Sequence, residues 1–371
     1  MRCLLALLAA AAALIGADAA RPTWDQLSAS YSYEQFLADF GKSSPASGEY
    51  EARRSLFQER LAAALQHNAN PSSTWKRGVN HMSDWTESER KALRGGLRSQ
   101  AAMRTSMLRR QPRQRPAEGI PASFDWRSKR GVVTPVKDQG HCGSCWAFAS
   151  TAVLESHLAI QTGVYAELSP QNLVSCVPNP NNCGGYGGCA GSTAELAFAY
   201  VKEHGIASPY SFPYVSWPGD SNGTCAVTPA SRAKPVANVS GHVTLPANEE
   251  APLLEALVNH GPIAVSVAAM PWSDYESGVF DGCGLEGEGT DVDHVVVLVG
   301  YDEESLIIRN SWTPLWGESG YIRLKRTTSC GIDRTPQDGN GCAGGPNDIK
   351  VCGMCGVLSD TAYPVGTKLA R

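Results

Sequence analysis

Apolar positions change their spacing along the chain, and each change predicts an element. Leu4 to Ile15 is one continuous apolar run. Tyr33, Phe36, Leu37 and Phe40 fall at i, i+3, i+4 and i+7, one face of a helix. Glu49, Arg53, Phe57 and Leu61 recur every four residues on a longer helix that Pro71 ends. Residues 98–118 carry arginine, proline, glutamine and serine with almost no large apolar side chain, so they cannot build a core. Ser144 to Ile160 is apolar on most faces and predicts a buried helix. Ser169-Pro170 opens another, with serine at the cap and proline at the first helical position. Thr193 to His204 predicts a third. Beyond about Tyr210 the pattern turns to short β-branched and aromatic runs: Ile263–Val267, Val295–Val299, Leu306–Arg309 and Tyr321–Lys325. Helices first and strands later predict an α+β protein with two lobes, and a cleft between lobes is a favoured place for a site.

The opening run has a short basic start, Met1-Arg2, and the small-residue end Ala17-Asp18-Ala19. That is the pattern of a secretory signal over residues 1–20, and the run is too short to cross a bilayer. No other apolar stretch is long enough for a membrane span. The domain reading is therefore a signal peptide (1–20), a helical segment (21–97), a basic linker (98–118) and a compact domain (119–371). Charge separates these parts. Residues 21–118 carry a balance of +6 and residues 119–371 one of −10, within a total of −4. The basic part mixes acidic and apolar positions through most of its length, unlike a nucleic-acid-binding arm. It reads as a segment that sits on the acidic remainder. Of 12 cysteines, Cys3 leaves with the signal. The odd remainder points to one free thiol and otherwise paired cysteines, which export permits.

Candidate chemistry concentrates at Gln139-Gly140-His141-Cys142-Gly143-Ser144-Cys145-Trp146. A thiol at a helix N-terminus meets free N–H groups and the positive end of the dipole, which favour thiolate. An inert buried cysteine, or a redox or metal pair with Cys142, is the alternative. Cys352 and Cys355 repeat that two-residue spacing, so zinc stays on the table at this point; the expectation is that there is no metal and no cofactor.

Cys142-Gly143-Ser144-Cys145-Trp146 resembles the signature of papain and the cathepsins, and the likeness extends from residue 31 almost to the end. Phe124-Asp125-Trp126-Arg127 is similar to the family's mature N-terminal strand. Val292-Asp293-His294 resembles its histidine segment, and Asn310-Ser311-Trp312 with Trp316-Gly317-Glu318-Ser319-Gly320-Tyr321 its asparagine segment. Cys355-Gly356-Val357 and Ala362-Tyr363-Pro364-Val365 resemble its last strand. In the N-terminal region, Glu49, Arg53, Phe57 and Asn68, then Gly78, Asn80 and Asp84, fit the inhibitory prosegment of cathepsin L-like enzymes. Arg60, Ala64 and Met82 depart from it.

The resemblance implies a papain-like fold with a helical left lobe and a β-barrel-like right lobe, behind an α-helical prodomain that runs backwards through the cleft. It implies a cysteine endopeptidase made as a secreted zymogen. Cys145 is the expected nucleophile, His294 its acid–base partner, and Asn310 the residue that orients the imidazole. Gln139 with the Cys145 N–H would bind the oxyanion, at about 3 kcal/mol per donor. For substrate binding it implies Gly191 and Trp316, and a selectivity pocket with Asp360 at its floor. Ala269 and Val295 would form the pocket walls, with Thr193 and Ala194 at the rim. Apolar walls would take Leu, Val or Phe, and the carboxylate would also take Arg or Lys. Ser192, Thr313 and Val295 depart from the family's usual small residues. No insertion with paired histidines lies between Cys189 and Tyr210, which disfavours a dipeptide-removing enzyme.

By the same resemblance Cys142 pairs with Cys189, Cys176 with Cys225 and Cys283 with Cys355. Cys183, Cys330, Cys342 and Cys352 are extra, with connectivity open. Asn222 and Asn238 begin glycan acceptor triplets. The expected partners are protein and peptide substrates and the chain's own prosegment, with no nucleic acid, and the expected state is a monomer. The expected compartment is the secretory pathway, leading to a lysosome or vacuole or to the exterior. Two other readings are a secreted binding protein of the same fold without activity, whose usual mark would be loss of Cys145 or His294, and one in which the prosegment-like half is the product, an inhibitor of other peptidases.

Overall fold

The computed structural model describes residues 21–95, 119–226 and 233–370. The signal and the basic linker, as read from the sequence, lie outside the described residues.

The N-terminal segment folds around an aromatic cluster. Helix α1 (Tyr33–Asp39) starts at a capping box in which Ser32 and Gln35 satisfy each other's backbone N–H groups. Its Phe36 stacks on Phe57 of helix α2 (Ser47–Asn68), with ring centroids 4.8 Å apart. Tyr33, Leu61 and Val79 complete this small core. A second capping box, Thr86 with Glu89, starts the short helix α3 (Glu87–Ala92). Arg53 of α2 ties the two helices together by two hydrogen bonds to the Glu89 carboxylate, 2.8 and 3.0 Å. Arg60, where the sequence departs from the prosegment pattern, donates to the carbonyls of Met82 (3.2 Å) and Ser83 (3.1 Å) and so holds the turn before α3.

Three helices form the left lobe. Helix α4 (Cys145–Thr162) ends at Gly163, whose φ of 70° is the left-handed cap that glycine adopts without strain. Helix α5 (Pro170–Cys176) is capped by the Ser169 hydroxyl, and α6 (Ala194–His204) by that of Thr193. Trp146, Leu154, Leu173, Phe198 and Val201 form their shared core.

The right lobe is built on a 9-stranded sheet. Its strands run in the order 75–77, 275–280, 321–325, 305–309, 294–301, 263–267, 361–365 and 241–244, with 124–125 paired to 294–301. Among the described residues this sheet does not close on itself, so the barrel-like lobe expected from the sequence is an open sheet. Helix α7 (Glu250–His260), which the sequence reading did not single out, packs on it. The edge strand Trp75–Arg77 comes from the N-terminal segment and pairs antiparallel with Tyr275–Phe280. Gly278 permits that approach: a Cβ there would lie 2.5 Å from the Thr74 carbonyl oxygen.

The lobes meet where α4 packs on the strand His294–Tyr301. There the thiol of Cys145, the first residue of that helix, meets the N–H of Val295, the second residue of that strand.

The cysteines pair as Cys142–Cys189, Cys176–Cys225, Cys283–Cys355, Cys330–Cys352 and Cys183–Cys342. Cys145 is the free one. Cys330–Cys352 joins the short ladder of Cys330–Asp333 with Ile349–Cys352. Cys183–Cys342 ties the loop beyond that ladder to the left lobe. Backbone hydrogen bonds from Gly184 N to Gly341 O (3.1 Å) and from Ala343 N to Asn181 O (2.9 Å) reinforce the tie. The segment around Asn340 is thus a strap between lobes. Among the described residues no group of side chains could hold a metal ion.

Candidate active site

Cys145 is the first residue of α4, where helix N–H groups lack partners within the helix. His294 Nε2 lies 2.8 Å from Asn310 Oδ1, and the Trp312 ring covers the imidazole with centroids 4.9 Å apart. Asn310 Oδ1 also accepts from the Ser311 N–H at 2.8 Å, which fixes the amide. Gln139 is set by the same segment. Ser311 Oγ donates to Gln139 Oε1 at 2.7 Å, so the Nε2 end turns toward Cys145. Ser311 carries no signal of its own in the sequence beyond sitting beside Asn310.

In this structure the N-terminal segment fills the site. Gln139 Nε2 donates to the Leu93 carbonyl at 2.7 Å and to the Cys142 carbonyl at 2.9 Å. The Cys145 thiol faces the Arg94 carbonyl at 3.8 Å. Gly95 passes so close that a Cβ on it would lie 3.1 Å from Gly191 Cα. Met82 and Leu93 join one apolar cluster with Trp272, Trp312 and Trp316. The Gln139 side-chain amide is therefore occupied by a carbonyl of the chain itself.

Burial under this segment sets the protonation states. It pushes the Cys145 thiol up to about 12, against the N–H groups of Val295 and Trp146 that favour thiolate. It pushes His294 down to about 3. Both shifts favour neutral forms, so the covered site holds a thiol and an imidazole rather than an ion pair. His294 Nδ1 has no hydrogen-bond partner and is buried.

The remaining predicted residues fall into two groups. Asp360 Oδ2 accepts from Ser266 Oγ at 2.7 Å and from Asn340 Nδ2 at 3.4 Å. Glu195, at the start of α6 beside Thr193 and Ala194, lies against Asp360. Burial and the Asp360 charge push the Glu195 carboxyl up to about 8. Val295 is buried at the junction of the lobes. The Ala269 N–H donates to Asp293 Oδ1 at 3.1 Å. The strand residue against Asp360 is Ser266. Trp316 is fully buried, edge-on to Trp312 at 5.2 Å, and its Nε1 donates to the Trp272 carbonyl. Sequence reasoning missed Ser266, Glu195 and Asn340, since each meets Asp360 only through the fold.

Of the glycan acceptors, Asn222 is exposed, with its Oδ1 accepting from the Cys189 N–H at 2.7 Å. Asn238 is half-buried at the end of the strand Pro235–Asn238.

A thiol protease in precursor form is the class these elements define. The pattern of the papain family of cysteine proteases matches residues 120–339, and that of the cathepsin propeptide inhibitor domain matches residues 33–89. A probable cysteine protease, RDL3, of Arabidopsis thaliana is 37% identical over 82% of this chain and 80% of its own length. A cathepsin L-like proteinase of Phaedon cochleariae is 36% identical over 81% and 92%. Among solved structures, digestive procathepsin L 3 from the larval midgut of Tenebrio molitor superposes with a TM-score of 0.67 at 29% identity, covering 90% of this chain and 97% of that one. The chain belongs to the papain family of cysteine proteases. It carries a cathepsin-type propeptide ahead of its catalytic domain and is a zymogen.

Proposed function

We propose that this chain is exported as an inactive precursor of a cysteine endopeptidase and gains activity in acid, when its prosegment leaves the cleft. The observation that carries this reading is the pair of prosegment carbonyls, Leu93 on Gln139 and Arg94 on Cys145.

With the prosegment gone, water returns and the burial that holds both groups neutral is relieved. The thiol proton passes to His294, and the α4 N-terminus with the Val295 and Trp146 N–H groups stabilises the thiolate. The thiolate sulfur attacks the peptide carbonyl carbon, and the carbonyl electron pair moves to oxygen. Gln139 Nε2 and the Cys145 N–H receive that oxyanion, at about 3 kcal/mol per donor. His294 gives its proton to the amide nitrogen, the C–N bond breaks and a thioester remains. His294 then takes a proton from water as hydroxide adds to the thioester carbon, and the thiolate leaves. Asn310 holds the ring through both proton transfers, and Trp312 keeps water from that bond.

Gly191 lies beside the substrate backbone on the acyl side, and Trp316 supports the leaving-group side. Asp360 forms the floor of the selectivity pocket with Ser266, Val295, Thr193 and Ala194 around it. The pocket takes Leu, Val or Phe, and Arg or Lys through the carboxylate. The disulfides fit the secretory pathway, with a lysosome, vacuole or the exterior as destination. The enzyme acts as a monomer on protein and peptide substrates. Titration with a thiol-reactive peptide electrophile is the test. The expected result is one equivalent bound at Cys145 after acid treatment and almost none before. Equal labelling before and after overturns the reading.

A further inference from the structure

The zymogen contains an occupant that marks a subsite. Arg94 is nearly buried, 7% exposed, and its Nε lies 2.9 Å from Asp293 Oδ2 in a carboxylate only 11% exposed. Asp293 immediately precedes His294. Its other oxygen is already held by the Ala269 N–H. Behind it stands Asp291, whose Oδ1 is buried with no hydrogen-bond partner. The cations that face these two carboxylates, Arg94 and Lys91, both belong to the prosegment.

The path of the segment tells which side of the scissile bond this is. Gly95 lies against Gly191 and Gly143, on the acyl side. The Arg94 guanidinium points the other way, to the carboxylate beside the imidazole that protonates the leaving amine. We propose that, once the prosegment is removed, Asp293 backed by Asp291 forms a cation-selective subsite that takes an arginine or lysine side chain immediately after the scissile bond. The inference rests on the Cys145–His294 mechanism above. Its physical basis is that release of Arg94 and Lys91 takes both prosegment cations away from two neighbouring carboxylates, at a place shaped around a guanidinium. A basic side chain of the substrate restores the charge-assisted contact. An acidic one adds like charge.

The test uses activated enzyme and internally quenched peptides that are identical on the acyl side and carry Arg, Lys, Ala, Leu or Glu after the scissile bond. Wild type, Asp293→Asn and Asp291→Asn are compared, each by its own ratio of kcat/KM to the Ala peptide. The expected Arg-to-Ala ratio in wild type is on the order of tenfold or more, the scale of one hydrogen bond to a charged group. It should fall to about one in Asp293→Asn and partway in Asp291→Asn, with Glu the poorest substrate in wild type. An Arg-to-Ala ratio that is the same in wild type and Asp293→Asn overturns the subsite. So does a wild-type enzyme that reacts with the thiol probe but cleaves all five peptides equally. A wild type that neither reacts with the probe nor cleaves any peptide overturns the mechanism beneath it as well.

Discussion

Replacing His81 by glutamine should slow acid activation of the zymogen and leave its behaviour at neutral pH unchanged. His81 lies in the prosegment turn before α3, where its carbonyl accepts from Lys42 Nζ at 2.8 Å. Its ring meets Trp85 edge-on at 5.6 Å, and Trp85 stacks at 4.4 Å on His141 of the catalytic domain. Burial pushes His81 down to about 3, helped by the positive groups around it, Lys42, His141, Arg21 and Arg90. In the undocked segment an ordinary histidine value near 6.5 applies. The docked state therefore binds fewer protons, and its stability falls as pH drops from about 6.5 toward 3. At pH 4.5 the loss is at most about 2.7 kcal/mol, roughly a hundredfold in the docking equilibrium. This is a ceiling, because Lys42, Arg21 and Arg90 stay with the prosegment when it leaves. His294, also held near 3 when covered, acts in the same direction. Two carboxyls oppose them. Burial pushes Asp293 up to about 7, against the lowering effect of the Arg94 charge, and likewise pushes up Glu276, which accepts from the Trp24 N–H of the prosegment. Where the prosegment supplies that burial, these groups favour the closed form as pH falls below about 7. The assay is the rate of appearance of peptidase activity from purified zymogen at pH 4.5 and pH 7. His81→Gln should mature more slowly at pH 4.5, by up to about a hundredfold. Equal rates for both zymogens at pH 4.5 would refute the reasoning.

Truncating Arg94 to alanine leaves Asp293 buried without its partner, a change that typically costs about 3–5 kcal/mol. The Arg94→Ala zymogen should therefore show peptidase activity at neutral pH before any cleavage, read with a fluorogenic peptide. Asp360→Ala should selectively lose cleavage of Arg-Arg peptides relative to Leu-Arg peptides, and an unchanged ratio of kcat/KM would count against the pocket assignment. Replacing Cys183 and Cys342 together by serine should lower the unfolding free energy by about 2–5 kcal/mol, measured by thermal denaturation. Loss of the strap should also weaken selection by the Asp360 pocket, because Asn340 would no longer be held over that carboxylate.

The elements whose signals are local were legible in the sequence. A serine cap and proline placed the start of α5, and the run Thr193 to His204 placed α6. The β-branched runs Ile263–Val267 and Tyr321–Lys325 are strands with those same ends. Cys145 before an apolar helix, with His294 and Asn310 following in order, named the chemistry. Each of these signals lies within a few residues, where caps and side-chain periodicity act. The strand Trp75–Arg77 could not be read in this way, because it exists by pairing with Tyr275–Phe280 some two hundred residues on. The same holds for the site's finer parts. Ser266 against Asp360, the strap that carries Asn340, and Arg94 on Asp293 all join segments far apart in the chain. Local rules set what each segment becomes, and its hydrophobic face says only that it must be covered. Which residues then meet across the cleft depends on strand register and on how α4 seats against the strand His294–Tyr301. A shift of one residue in that register would turn every side chain to the other face, so only the tertiary structure decides which charges touch.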